Sequence, residues 1–313
     1  MQRWGKSSNG KIRFRCPDCK VSGFRERRDL VKQTHLKLFN NWLLGNRALK
    51  EIAAEQKVTR RTLQRWFLKF QSVPSKQEKI NIADEVIIID GTYLGKNKGQ
   101  RIVVLIVRTK AQVVKWKFCS QECYETWRET LRDLAQPKAI VCDGQKGMAK
   151  AIHLFWGDVT IQRCLFHIES WCLSKLTLNP THPADQHLRQ LCLQISRLNT
   201  LKQRDKWFEQ YVLWKWQYDK YLHDKISYLH PINDKLISTY AHKRTRQVVS
   251  TIDHALPNMF HYLHDPDIPR TSNHIEGGTN SRLKELIHRH RGLTVKRKII
   301  LTNQYLRKQQ KRK

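Results

Sequence analysis

The chain has 313 residues, 40% of them hydrophobic and 27% charged, a balance that predicts a soluble folded protein and excludes a disordered one. Lys and Arg number 59 against 27 Asp and Glu, a net charge of +32, which opposes compaction unless a polyanion neutralises it. No apolar stretch reaches the length of a membrane span, and the first residues carry no signal-peptide core, so no membrane partner and a cytoplasmic location are expected.

The excess charge is clustered. Residues 1–70 hold 18 Lys and Arg against 5 acids, and residues 282–313 hold 12 against 1. Basic ends around a less basic middle favour nucleic acid over a membrane surface. Eight cysteines stand at 16, 19, 119, 123, 142, 164, 172 and 192, read as reduced thiols or metal ligands.

Residues 1–28 are polar and basic, with one Cys16-Pro-Asp-Cys19 knuckle. RFRCPDC fits the second half of a zinc ribbon. A structural zinc site needs four ligands, and the chain begins too late to supply the first pair. The segment is therefore a partial zinc ribbon, Cys16 and Cys19 a zinc half-site, and Zn2+ is not assigned. Residues 29–70 turn helical. DLVKQTHLKLFNNWLLG sets Leu30, Leu36, Phe39 and Leu43 at helical spacings, ALKEIAAEQ follows, and a third helix begins after Thr59 as N-cap. LKEIAAEQKVTRRTLQRWFLKF has helix-turn-helix grammar: Leu49, Ile52 and Ala53 pack on Leu63 and Trp66 or Phe67. Arg60, Arg61, Gln64 and Arg65 line the exposed side and can reach base edges or phosphates. Lys57-Val58 replaces the glycine frequent in such turns.

Residues 71–81 read as a linker. Strands are predicted at 86–91, 101–109 and 113–119, a helix at 122–134, a strand at 139–144, a helix at 147–155 and a strand at 159–164. That order predicts an α/β mixed sheet flanked by helices. Residues 166–269 lose strand patterning and read as a large all-helical insertion. Within it, Trp207, Trp214 and Trp216 are expected in a core, with base stacking the competing use. A helix from His274 to His290 returns the chain to the sheet domain (82–165 and 270–292), with HRG at 290–292 closing it. Residues 293–313 form a basic C-terminal helix suited to phosphate contacts.

VIIIDGT at 86–92 is an aliphatic strand ending on an acid, Asp90, then glycine. Alone, Asp-Gly there reads as a hairpin turn. AIVCDGQKG repeats the grammar with Asp143. Two such carboxylates at one sheet edge repel, which favours a divalent cation between them. Glu276, near the start of the helix in TSNHIEGGTNSRLKEL, is the candidate third acid of a site for two Mg2+, or Mn2+ in their place. Together with the charge, the strand order points to a ribonuclease-H-like core.

The stretches VIIIDGTYLG, IVCDGQKGMAKAI, IQRCLFHI and TSNHIEGGTNSRLKELIHRHRG resemble those of bacterial insertion-sequence transposases of the Mutator-like group, which carry an Asp-Asp-Glu triad and a C-x-x-H signature. The resemblance spans about residues 85–292. It implies Asp90, Asp143 and Glu276 as metal-binding catalytic acids and Cys164 with His167 as the signature pair. It also implies double-stranded DNA as partner (element ends and target), a homo-oligomer on DNA and a place on the bacterial nucleoid. No further Cys or His pair stands near Cys164 and His167 at ribbon spacing, which favours a buried packing or hydrogen-bonding role. Arg282, Lys284, Arg289 and Arg291 join the expected DNA-binding residues. Two rivals share these features: a DNA-binding remnant without activity, and a structure-selective nuclease.

Overall fold

A computed structural model of the chain describes all residues except 9, 25–27, 46, 72–76, 95–101, 230–232, 234, 290–293 and 311–313, and the side chains of residues 28, 29, 71, 276 and 289. It divides into two compact units, residues 1–75 with 300–305, and residues 76–299 with 306–313.

The first unit opens with a three-stranded antiparallel sheet, β1 (Gln2–Lys6), β2 (Ile12–Arg15) and β3 (Ser22–Phe24), in a segment where no strands were expected. Cys16 and Cys19 occupy the β2–β3 turn, closed by Cys16 N donating to Val21 O and Lys20 N to Cys16 O. Helices α1 (Arg28–Leu44), α2 (Leu49–Glu55) and α3 (Arg60–Gln71) follow. Their core is Phe39, Trp42 and Leu43 of α1, Leu49, Ile52 and Ala53 of α2, and Leu63 and Phe67 of α3. Leu30 and Leu36, expected on the same stripe, are exposed; Trp42 takes the buried place instead. Trp66 stacks on His35 with ring centroids 3.8 Å apart. Thr59 caps α3 by accepting from Thr62 N. In the α2–α3 turn Lys57 adopts a φ of 52°, the left-handed conformation that glycine often supplies there.

The second unit is built on a five-stranded mixed sheet of order β6-β5-β4-β7-β8, formed by β4 (Val86–Tyr93), β5 (Val103–Arg108), β6 (Val113–Cys119), β7 (Ala139–Cys142) and β8 (Thr160–Arg163). The first three strands are antiparallel and joined in sequence; β7 and β8 add in parallel on the other side of β4. Helices α4 (Tyr124–Leu131) and α5 (Lys146–Phe155) cover one face, where Ile87, Ile89, Val103, Leu105 and Val107 meet Trp127, Leu131, Met148 and Ile152. β4 is buried at Val86–Ile89 because both its faces are covered, which explains its unbroken aliphatic run. The Asp-Gly pair is no turn: β4 runs on to Tyr93, with Gly91 opposite Leu105 and Thr92 opposite Val104.

After β8 come α6 (Leu165–Lys175), α7 (Pro183–Gln194), α8 (Leu201–Gln217) and α9 (Asp219–His223). An antiparallel hairpin of β9 (Lys225–Leu229) and β10 (Leu236–Tyr240) follows, then α10 (Lys243–Ala255). The expectation of an all-helical insertion is thus corrected. KISYL and LISTY are rich in β-branched and aromatic residues, yet β9 is exposed throughout, so no buried-face alternation announces it. The helices share a core of their own, in which the rings of Trp207, Tyr211 and Trp214 stack nearly parallel. The indole N–H groups of Trp207 and Trp214 donate to the carbonyls of Leu191 and Ala184. Trp216, expected in the core with them, is 81% exposed because it falls on the outer side of α8.

A π-helical stretch, His274–Asn280, runs directly into α11 (Ser281–Arg289), and α12 (Val295–Gln310) ends the described chain. The HRG closure expected at 290–292 lies outside the described residues, as do residues 72–76 of the expected linker. α12 is less of a free basic surface than its sequence suggests. Leu301, Thr302, Tyr305, Leu306 and Gln310 are buried, and Gln310 bonds the Glu78 backbone and the Val114 carbonyl. No helix among the described residues is long and apolar enough to cross a membrane.

Removing a buried indole leaves a large void and orphans its carbonyl partner. Trp207→Ala should therefore cost about 3–5 kcal/mol, read as a lower urea midpoint for the helical region with sheet-region probes less affected.

Candidate active site

The register of β4 against β7 sets the site. Val86 pairs with Ala139, Ile87 with Ile140 and Ile88 with Val141, an offset of 53 residues that is also the separation of Asp90 from Asp143. The ladder ends at Ile88 and Val141, and Asp143 follows the end of β7 at Cys142; the same register continued by two residues would bring the two acids level, about 4.8 Å apart in backbone spacing. Side chains alternate along a strand, so Asp90 and Asp143 fall on the face of Ile88 and Val141, opposite α4 and α5. Asp90 is 7% exposed; Asp143 is half-buried, with Oδ1 accepting from Gln145 N at 2.9 Å.

The segment bearing Glu276 is held over that face by two side chains. Arg108, on β5, donates from Nη1 to the carbonyl of His274 at 2.6 Å and to Thr279 Oγ1 at 2.9 Å. Asn280 donates from Nδ2 to Asp90 Oδ2 at 3.1 Å. Burial first, then repulsion from Arg108 and Lys110, lowers the imidazole pKa of His274 and favours its neutral form. The backbone of Glu276 lies within the π-helical turn, a distortion that recurs at functional sites, while its side chain lies outside the described residues.

Cys164 and His167 join the same segment to the sheet. Cys164 directly follows β8, its N–H donating to Cys142 O at 2.7 Å, and stands at the N-cap of α6. Its buried Sγ accepts from both Ser272 N and Ser272 Oγ at 3.2 Å, and Ser272 Oγ lies 3.5 Å from His167 Nδ1. Burial raises the Cys164 thiol, but the hydrogen bonds and charge of His167 and Ser272 outweigh it and leave the pKa below the ordinary thiol range. The pair is thus a hydrogen-bonding clamp on residue 272, four positions before Glu276.

One acid at this edge has no sequence signal. Glu122, in the loop before α4, lies over Gly91, where an added Cβ would stand 2.5 Å from Oε2. Trp127 Nε1 holds its Oε1 at 3.0 Å. Burial, reinforced by the charge of Asp143 and opposed by Trp127 and His167, raises its carboxyl pKa. Asp-Gly here is therefore an acid beside a gap, the gap being filled by a second acid. Gly144 plays a similar part after Asp143: its φ is 77° and any side chain would collide with the Arg163 guanidinium.

Among the described residues, no group of three or more His, Cys, Asp or Glu could hold a metal ion. The donors present nonetheless fit a hard cation: a buried carboxylate, a second carboxylate just past the end of the adjacent strand, and the buried amide oxygen of Asn280, which has no hydrogen-bond partner among the described residues.

The model of the family described as Transposase IS66 family matches residues 41–303. The chain belongs to the IS66 transposase family. It is therefore of the insertion-sequence transposase kind that the motifs implied; the family's description does not name the Mutator-like group. No curated protein matches the chain.

In this IS66-family chain the expected DNA-facing residues Arg60, Arg61, Gln64 and Arg65 are exposed along α3, and Arg282 and Lys284 along α11. The Arg289 side chain and Arg291 lie outside the described residues. Cys16, partly exposed, has a lowered thiol pKa, chiefly from the backbone N–H groups of Cys19 and Asp18.

Gly91→Ala should displace the Glu122 carboxylate and destabilise the second unit by about 1–3 kcal/mol through overpacking. Adding Glu122→Ala should recover most of that loss, a non-additivity measured by denaturant unfolding of the four chains of the cycle.

Proposed function

We propose that the protein is an insertion-sequence transposase that binds the ends of its element and performs metal-dependent 3′-end cleavage followed by strand transfer. The observation that supports this is the β4–β7 register, which continued two residues past Ile88 and Val141 would bring Asp90 and Asp143 level, with Asn280 of the segment that bears Glu276 bonded to Asp90. In this reading the sheet and its flanking helices are a ribonuclease-H-like core, with Asp90, Asp143 and Glu276 its catalytic acids and residues 166–269 its insertion. Cys164 and His167 are the C-x-x-H signature, and their part is to fix the path of the chain into Glu276.

The three acids would hold two Mg2+, or Mn2+, which when bound lower the pKa of a nucleophilic water and neutralise the leaving oxygen. The chain's own residues supply the frame. Arg108 and Asn280 keep the Glu276 segment on the sheet face, and burial around Asp90 keeps its carboxylate out of bulk water. Cleavage forms a bond from water oxygen to phosphorus and breaks the P–O3′ bond, releasing a 3′-hydroxyl. In strand transfer that hydroxyl attacks a target phosphodiester, one ester bond forming as another breaks, with no covalent enzyme intermediate.

Substrate capture follows from charge. A net +32 is neutralised by phosphates, with Arg60, Arg61, Gln64 and Arg65 on a helix-turn-helix reading element ends, and Arg282, Lys284, Arg289 and Arg291 as further DNA-binding residues. Cys16 and Cys19 are a candidate half-site of a zinc-ribbon-like segment. Pairing of two ends calls for at least a dimer on DNA.

The test is cleavage and strand transfer by purified protein on DNA carrying the element's own ends, with Mg2+ present. Asp90→Asn, Asp143→Asn and Glu276→Gln should each lower the rate about a thousand-fold or more, as loss of cation stabilisation worth several kcal/mol predicts. Gel-shift affinity should stay at the wild-type level. Wild-type protein that shifts the ends but never cuts them is instead a DNA-binding remnant.

A further inference from the structure

Asn280 has an end that the reaction above leaves unused. The residue is 2% exposed and its Nδ2 donates to Asp90 Oδ2, while its Oδ1 is enclosed without a hydrogen-bond partner among the described residues. The carboxylate decides which end of the amide faces it, because the rotated amide would set oxygen against oxygen. The orphan is therefore a carbonyl oxygen, attached to the same amide that grips Asp90.

Buried polar atoms in folded proteins are almost always satisfied, and an exception calls for a water or an ion. Water alone would serve any orphan, but this one adjoins a buried carboxylate. An amide oxygen is also a donor that hard divalent cations accept beside carboxylates. The sequence places Asn280 four residues after Glu276, on the turn that Arg108 pins to β5.

We infer that Asn280 is a positioning residue of the divalent-cation site, its amide nitrogen orienting Asp90 and its amide oxygen turned to the shell of the cation that Asp90 holds. This rests on the cation-dependent reading of the acids given above. It assigns the turn after Glu276 two duties: presenting the third acid and completing the surroundings of the first.

The test uses the full chain, with Mn2+ affinity measured by calorimetry and by the electron spin resonance of free Mn2+. Thermal unfolding is followed with and without the ion, and Asp90→Asn serves as reference. Asn280→Ala should weaken Mn2+ binding about 10- to 100-fold, the usual effect of removing a group that orients a metal ligand. Asn280→Asp keeps the shape but sets a second carboxylate against Asp90. Its Tm without metal should fall, and its rise on adding Mn2+ should exceed that of wild type.

A merely structural Asn280 would lower Tm in Asn280→Ala and leave Mn2+ affinity at the wild-type value, and that result overturns the inference alone. An Mn2+-induced rise in Asn280→Asp no larger than in wild type overturns it as well. Wild-type protein whose Mn2+ binding is absent, or unchanged by Asp90→Asn, overturns both this inference and the cation reading of the acids.

Discussion

A carboxylate almost out of reach of solvent, at the rim of an aliphatic sheet, is the constraint around which the second unit is organised. Taking such a group from water costs several kcal/mol unless donors or cations meet it. Asp90 is met by the Asn280 amide from the turn after Glu276, while the register of the neighbouring strand, continued past its last pair, would bring a second acid level with it. Two carboxylates so placed would repel each other, and in the proposed function that repulsion favours a doubly charged ion between them. Stability is given up at the site and recovered in the sheet, whose central strands bury continuous aliphatic runs on both faces.

Distant stretches of chain serve that one edge. Arg108 reaches from β5 to the His274 carbonyl and Thr279, and Cys164, directly after β8, grips Ser272, so the segment between is tied to two strands on opposite sides of β4. The segment yields locally, winding as a π-helix through Gly277-Gly278, where a regular α-helix is intrinsically disfavoured. Between Cys164 and Ser272 the chain makes a segment of helices and the β9–β10 hairpin, with a helical core of its own centred on the Trp207–Tyr211–Trp214 stack. The insertion can therefore fold as a packed body while its two ends are fastened together at the site.

The sheet was legible because buried strands write themselves as aliphatic runs; those at 113–119, 139–144 and 159–164 lie within two residues of where hydrophobicity places them. Asp90 and Asp143 were legible for the complementary reason, as acids breaking such runs. The register that relates them was not, since it depends on pairing across residues far apart in sequence. Glu122 was invisible: a single acid in a polar loop has no period, and only the lack of a side chain at Gly91 shows that something must lie there. Asn280 was passed over because the neighbouring Glu276 carried the chemical signal. The β9–β10 hairpin and the N-terminal sheet escaped because β9 and β1 are exposed throughout and β2 is half-buried throughout, so no burial alternation marks them. In α12 the many bases drew attention from Leu301, Tyr305 and Leu306, which decide how that helix packs.

The most direct measurement is a crystal structure of the full chain grown with Mn2+, with anomalous data collected at the manganese edge. The account predicts anomalous density between the carboxylates of Asp90 and Asp143, with the Glu276 side chain turned toward it. Manganese bound only elsewhere, or absent from that edge at saturating concentration, would contradict it.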